Sequence, residues 1–132
     1  MTNPLFFSLL VGCGGFAGSL SRYGVSIFSQ RFTMDWPLGT MAANIIGCML
    51  IGMVTELAAQ GINISPEVRL ALTTGFCGGF TTMSSMIYET AEMLRASEYI
   101  HAVLYAAGTF LLSLAAFFSG VAGVRMLLRL GG

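Results

Sequence analysis

Four runs of the chain carry no charge, and each is close to the length of a membrane crossing. Residues 1–21 precede the first charge, Arg22, and residues 36–55 lie between Asp35 and Glu56. Residues 70–88 lie between Arg69 and Glu89, and residues 99–124 between Glu98 and Arg125, with only the titratable His101 inside. A helix needs roughly 20 apolar residues to cross the hydrocarbon core. Only 9% of the 132 residues are charged and 55% are hydrophobic, whereas about a quarter of a soluble domain is charged. The pattern predicts an all-α integral membrane protein. Residues 1–132 form one domain with four transmembrane helices, at about 4–29, 38–59, 67–95 and 99–129.

The joints fit that division. The connections "QRFTMDWP", "AQGINISPE" and "RASEY" are short and polar. Pro37 and Pro66 stand where helix starts tolerate proline. Ser65, with Glu67 in the following turn, reads as an N-cap. No basic stretch precedes the apolar start "MTNPLFFSLLVGCGGFAGSL", so it reads as a retained first span rather than a cleaved signal.

Several function classes drop out. The six basic residues are all Arg and are balanced by six acids, which offers no field for a nucleic-acid partner. Cys13, Cys48 and Cys77 form no CxxC pair and are odd in number, so they read as small buried residues rather than disulfides or a zinc site. No Ser/His/Asp set, HExxH or phosphate-binding loop is present, and the glycine runs follow no strand, so no enzyme is expected.

Four crossings put both termini and the second connection on one side, with Arg69, Arg125 and Arg129. The other side has Arg31 and Arg95, with Arg22 at the end of the first span. Orientation follows an arginine and lysine imbalance, and almost none exists here. That near-balance points to insertion in both orientations, hence an antiparallel dual-topology homodimer. Four helices also make thin walls for any pathway, which favours an oligomer. Gly14 and Gly18 form a GxxxG that lets backbones approach closely, and Gly47, Gly52, Gly120 and Gly123 add smooth faces.

Polar groups inside a membrane face partners or water. Asn44 lies well inside the second span, with Thr40 one turn earlier on the same face. It reads either as a helix–helix tie or as a ligand for an ion or water file. Tyr105, Thr109 and Ser113 recur every fourth residue of the last span, a hydroxyl stripe about 12 Å long. Each hydroxyl alone could satisfy its own helix carbonyls, but three in register read as a polar track. Arg22 reads as a snorkelling side chain or the lining of an aqueous mouth. Glu89 caps a vestibule or pairs with an arginine. The densest signal is "GFCGGFTTMSSM", residues 75–86. Gly78 and Gly79 weaken a helix interior by about 1 kcal/mol each, and Thr81, Thr82, Ser84 and Ser85 offer competing local bonds. They predict a break in the third span, which is tolerated at membrane depth only where protein buries it or a cavity receives it. Freed carbonyls at such a break suit a cation and freed amides an anion.

Three stretches, "GGFAGSLSRY" (14–23), "PLGTMAANIIG" (37–47) and "GFCGGFTTMSSM" (75–86), resemble in this order the Fluc (CrcB) fluoride channels. The resemblance implies four membrane helices per subunit, the third broken, in an antiparallel dual-topology homodimer. It implies two fluoride pathways per dimer and passive fluoride export across the bacterial cytoplasmic (inner) membrane, which lowers fluoride toxicity. It also implies a central structural Na+ held by the backbone carbonyls of Gly78 and Thr81 from both subunits. Asn44 matches the pore-lining asparagine, with Thr40 beside it. Arg22 matches a vestibule arginine and Ser84 a pore hydroxyl. Tyr105, Thr109 and Ser113 match the polar track. The implied partners are a second copy of the chain, fluoride and membrane lipid. One departure stands out. The family usually reads TTFSTF where this chain has Thr81-Thr82-Met83-Ser84-Ser85-Met86. A ring edge carries partial positive charge and a thioether has no equivalent. The expectation is that Met83 and Met86 hold the pore-facing positions and that fluoride still passes. Phe80, three residues earlier, is expected to pack.

Two other readings compete. A small multidrug-resistance-type antiporter shares the dual-topology architecture but needs a carboxylate at mid-membrane, and no span carries one near its centre. A non-transporting adaptor does not need Asn44, the hydroxyl stripe and the break together. Flux separates channel from adaptor, and response to a pH gradient separates channel from antiporter.

Overall fold

A computed structural model describes residues 3–33 and 36–131, and among these every regular element is helical. The order is α1 (Pro4–Ser29), α2 (Leu38–Ala59), α3 (Pro66–Leu70), a π-helical stretch (Ala71–Cys77), α4 (Gly78–Phe80), α5 (Met83–Arg95) and α6 (Tyr99–Leu130). Three helices are long and apolar enough to cross a membrane: α1, α2 and α6, of 26, 22 and 32 residues. Residues 66–95 are helical throughout except at Thr81 and Thr82, where the backbone turns extended.

Local chemistry sets the ends. Asn3 Oδ1 accepts from Leu5 N at 3.1 Å ahead of Pro4. Ser65 Oγ accepts from Val68 N at 3.3 Å ahead of Pro66. Helix α2 closes on Gly61, whose φ of 79° lets the Gly61 and Ile62 amides bond back to Ala58 O and Leu57 O. Helix α5 closes in the same way with Ser97 at φ 62°: Ser97 N reaches Leu94 O and Glu98 N reaches Met93 O. Here a side chain occupies a conformation that suits glycine.

Helices α2 and α6 make the most extensive contact and run parallel. Thr40 and Tyr105 meet at one end through Glu89, and Glu56 meets Arg125 at the other. Residues 60–98 therefore return the length of the bundle between them. Backbone closeness substitutes for a hydrophobic drive that lipid would not supply. A Cβ at Gly52 would collide with Phe117 O, and one at Gly120 with Met49 O. On the opposite flank α1 packs on the π-helical stretch and α4 through two facing GxxxG pairs, Gly14/Gly18 and Gly75/Gly79. A Cβ at Gly14 would stand 2.5 Å from Ala71 O, and one at Gly18 would strike Phe76 O. The interior is narrow, with Ala43, Cys77, Phe80, Met86, Ala102, Tyr105 and Val124 as its buried apolar members. Large side chains such as Leu9, Phe16, Leu104, Phe118 and Leu127 face outward. In water that surface is a liability; against lipid it is the expected exterior.

Two sequence expectations shift. Cys13 is exposed and Cys48 half-buried, so only Cys77 is a buried core cysteine. Gly123 has nothing within 4 Å of an added Cβ, so it makes no close approach among the described residues. Phe80 packs as expected, buried and stacked on Phe76 at 5.5 Å.

Ser97→Gly tests the α5 terminus. Relief of left-handed strain of about 1 kcal/mol should raise the thermal midpoint in detergent by roughly 2–5 °C. An unchanged or lower midpoint contradicts a strained Ser97.

Candidate functional site

The break in residues 66–95 is held from outside its own helix. Thr81 takes φ −82°, ψ 153° and Thr82 φ −152°, ψ 111°, so the helical ladder cannot continue through them. Thr81 N and Thr81 Oγ1 both reach back to Cys77 O, each at 2.9 Å. Thr82 has no such recourse. Asn44 of α2 supplies both partners: its Oδ1 accepts from Thr82 N at 2.7 Å and its Nδ2 donates to Thr82 O at 3.2 Å. Both residues are buried, where an unpaired backbone group costs about 1–3 kcal/mol. The Thr82 hydroxyl then caps α5 by accepting from Ser85 N at 3.2 Å, and lies within 3.2 Å of Ser84 Oγ and 3.1 Å of Ser85 Oγ.

Beside this clasp opens a cavity of about 360 Å³. Asn44 and Cys48 of α2, Thr81 and Thr82 of the break, and Met83 and Met86 of α5 line it. Thr109, Phe110, Ser113, Leu114 and Phe117 of α6 complete the wall. Thr109 is 1% exposed and Ser113 9%, and neither hydroxyl oxygen has a hydrogen-bond partner among the described residues. Buried hydroxyls are normally satisfied, and these two do not even fold back on the preceding carbonyls. The Asn44 amide carries two N–H donors, of which Thr82 O takes one.

A second, more polar pocket of about 270 Å³ lies toward the N-terminal end of α2, with Ser26, Ser29, Gln30, Thr40 and Glu89 in its wall. Both Glu89 oxygens accept hydroxyls, Oε1 from Thr40 at 2.7 Å and Oε2 from Tyr105 at 2.5 Å. Near the far end of α2 a buried Glu56 takes Arg125 at 2.8 and 3.2 Å and Gln60 at 2.6 Å. Removing one partner of such a pair strands the other charge, so it locks α2 to α6.

The sequence-expected residues divide as follows. Asn44, Thr81, Met83, Met86, Thr109 and Ser113 meet at the cavity beside the clasp. Thr40 and Tyr105 lie a turn away and turn to Glu89 instead. The stripe Tyr105, Thr109, Ser113 is buried as one face of α6, but only Thr109 and Ser113 line the cavity, while Tyr105 is spent on Glu89. Ser84 is exposed and touches Thr82 Oγ1. Arg22 Nε donates to Gly79 O at 3.2 Å, beside Ser19 Oγ at 3.4 Å, so it braces the approach to the break. Gly78 is exposed, with nothing within 4 Å of an added Cβ. Glu89 pairs with hydroxyls, not with an arginine, among the described residues. His101 stacks edge-on with Trp36 at 5.6 Å and stands 3.4 Å from Glu98. Sequence reasoning missed Cys48, Phe110 and Phe117 as cavity walls. Four-residue spacing was the available signal: Cys48 follows Asn44, and Phe117 follows Ser113, by one turn.

The chain is similar to known proteins over most of its length. The family model described as "CrcB-like protein, Camphor Resistance (CrcB)" matches residues 9–121. A protein of Chlorobaculum tepidum named fluoride-specific ion channel FluC is 50% identical over 112 residues, covering 85% of this chain and 89% of the relative. Proteins of the same name from Chlorobium phaeobacteroides and Rhizobium etli are 47% and 40% identical. They cover 85% and 91% of this chain, and 87% and 97% of their own lengths. The chain belongs to the CrcB family.

Proposed function

We propose that the chain is a fluoride channel that lets the ion leave the cell passively across the bacterial cytoplasmic membrane. The observation that carries this reading is the pair of buried, unpartnered hydroxyls, Thr109 and Ser113, facing the cavity beside Asn44. A small anion entering a low-dielectric space must exchange water for other hydrogen-bond donors. Two free O–H groups and an amide N–H are donors of that kind, with no fixed charge to trap the ion. The relatives named as fluoride-specific channels support the choice of anion. Met83 and Met86 form the facing wall, and their weakly polarised methyl hydrogens are the only positive edge they can offer. Thr40, Tyr105 and Glu89 belong to the approach.

The same reading makes residues 66–95 the third of four crossings, interrupted at its middle. Both termini then share one side, and the near-even arginine count favours insertion both ways and an antiparallel homodimer with one pathway per flank. A structural Na+ fits the break. Among the described residues no hydrogen bond outside the helices reaches Gly78 O or Thr81 O. Carbonyl oxygens are the donors a hard cation takes. Gly78 lies on the protomer's surface, so a second copy can complete the ligand set. When bound, the ion would balance the negative ends of four carbonyl dipoles. Gly78 and Thr81 would hold it, and Asn44 would fix the Thr81–Thr82 backbone that presents them.

Liposomes loaded with fluoride test the reading. The wild type should release it, and Thr109→Val with Ser113→Ala should cut the rate at least tenfold with an unchanged gel-filtration profile. No release by folded wild type in sodium-containing buffer, or undiminished release by the double variant, contradicts it. Asn44→Asp is the sharper change at the clasp. It keeps an acceptor for Thr82 N but removes the donor and adds negative charge, so flux should fall by more than tenfold while the protein stays folded. Asn44→Ala strands two buried backbone groups and should also lower stability, by about 2 kcal/mol or more. Undiminished flux through Asn44→Asp would take the amide out of the pathway.

A further inference from the structure

The cavity holds a second kind of chemistry that the hydroxyls do not explain. Three sulfur-bearing side chains from two helices open into it: Cys48 of α2 and Met83 and Met86 of α5. Their convergence follows from the clasp. Cys48 stands one helical turn beyond Asn44, while Thr82, which Asn44 holds, immediately precedes Met83. Met83 and Met86 stand three residues apart on α5; Met86 is buried and Met83 is 68% exposed, at the cavity's rim. Cys48 is free and half-buried, so its thiol is neither oxidised to a disulfide nor sealed in the core.

We propose that this cavity is a binding site for a soft monovalent metal cation, Cu(I) or Ag(I). Thiolate and thioether donors select such ions over hard cations. One thiol and two thioethers suit a single positive charge. The Cys48 S–H bond breaks, a sulfur–metal bond forms and the proton leaves to water. No oxidation state changes, and the bound pair is neutral, so no net charge is buried at membrane depth. A divalent ion would leave an uncompensated charge. The unpartnered hydroxyls of Thr109 and Ser113 face the same space, and can bond a water or a small anion on the metal's open side. The volume of about 360 Å³ accommodates the ion with several waters. This site goes beyond the channel reading and does not depend on fluoride passing.

The test uses detergent-solubilised protein carrying Cys13→Ser, so that the exposed thiol does not compete. Silver nitrate is added in chloride-free buffer, unbound metal is removed by gel filtration, and silver is counted by mass spectrometry. About one silver per chain should be retained. Adding Cys48→Ala should reduce retention at least tenfold, and Met83→Leu with Met86→Leu should reduce it severalfold. Retention unchanged by Cys48→Ala overturns the site, as does retention that disappears only with Cys77→Ala. Alkylation of the wild type guards against a misfolded variant. Silver should protect Cys48 from a maleimide, read by peptide mapping, and Cys48 alkylation at the same rate with and without silver also overturns the proposal. Neither readout involves fluoride flux, so the metal site and the channel reading fail separately.

Discussion

The carboxamide of Asn44 bonds twice to the backbone of Thr82, and the interior is arranged around that pair. A helix that stops at mid-length leaves an amide and a carbonyl to be satisfied in a place without bulk water. Asn44 meets both at 2.7 and 3.2 Å. With Thr82 fixed, its hydroxyl caps α5, Met83 and Met86 line the cavity beside α6, and the hydroxyls of Thr109 and Ser113 have no hydrogen-bond partner among the described residues. Had the helix run on unbroken, the two methionines would be turned elsewhere and Asn44 would itself need a partner. Of the two alternatives that the sequence left open, the tie is the one the geometry displays. Asn44 is a tie between elements, and it lines the cavity.

Close packing makes so slender a bundle rigid enough to keep that space. Facing glycine pairs bring α1 onto the π-helical stretch and α4, and Gly52 and Gly120 bring α2 onto α6. Polar ties then fix the register of α2 against α6 near both ends. Thr40 and Tyr105 converge on Glu89 at one, and Glu56 grips Arg125 at the other. The cavity lies between these ties, so its walls are anchored from above and below.

Much of this was readable in the chain. Helix α2 begins right after Pro37 and α3 behind the Ser65 cap, as those local signals indicate, because they act within a turn or two. The break was readable from the glycines and hydroxyls of residues 75–86, and Asn44 from being polar where little else is. Three things were not. The carboxylate of Glu89 turns inward because Thr40 and Tyr105, distant in sequence, both donate to it. Arg22 turns to Gly79 O because α1 packs so closely on the π-helical stretch. Cys48 and Phe117 continue the faces of Asn44 and Ser113 by one turn, but those two faces meet, with Phe110, at one cavity only because α2 and α6 pack side by side.

The most direct check of the central claim is an experimental structure of the protein in fluoride-containing buffer at a resolution that reveals single ions. The account predicts density in the cavity within hydrogen-bonding distance of Thr109 Oγ1 and Ser113 Oγ, with Asn44 still bonded to Thr82. Both hydroxyls rotated onto their own helix carbonyls, with no density between them and Met83, would contradict it.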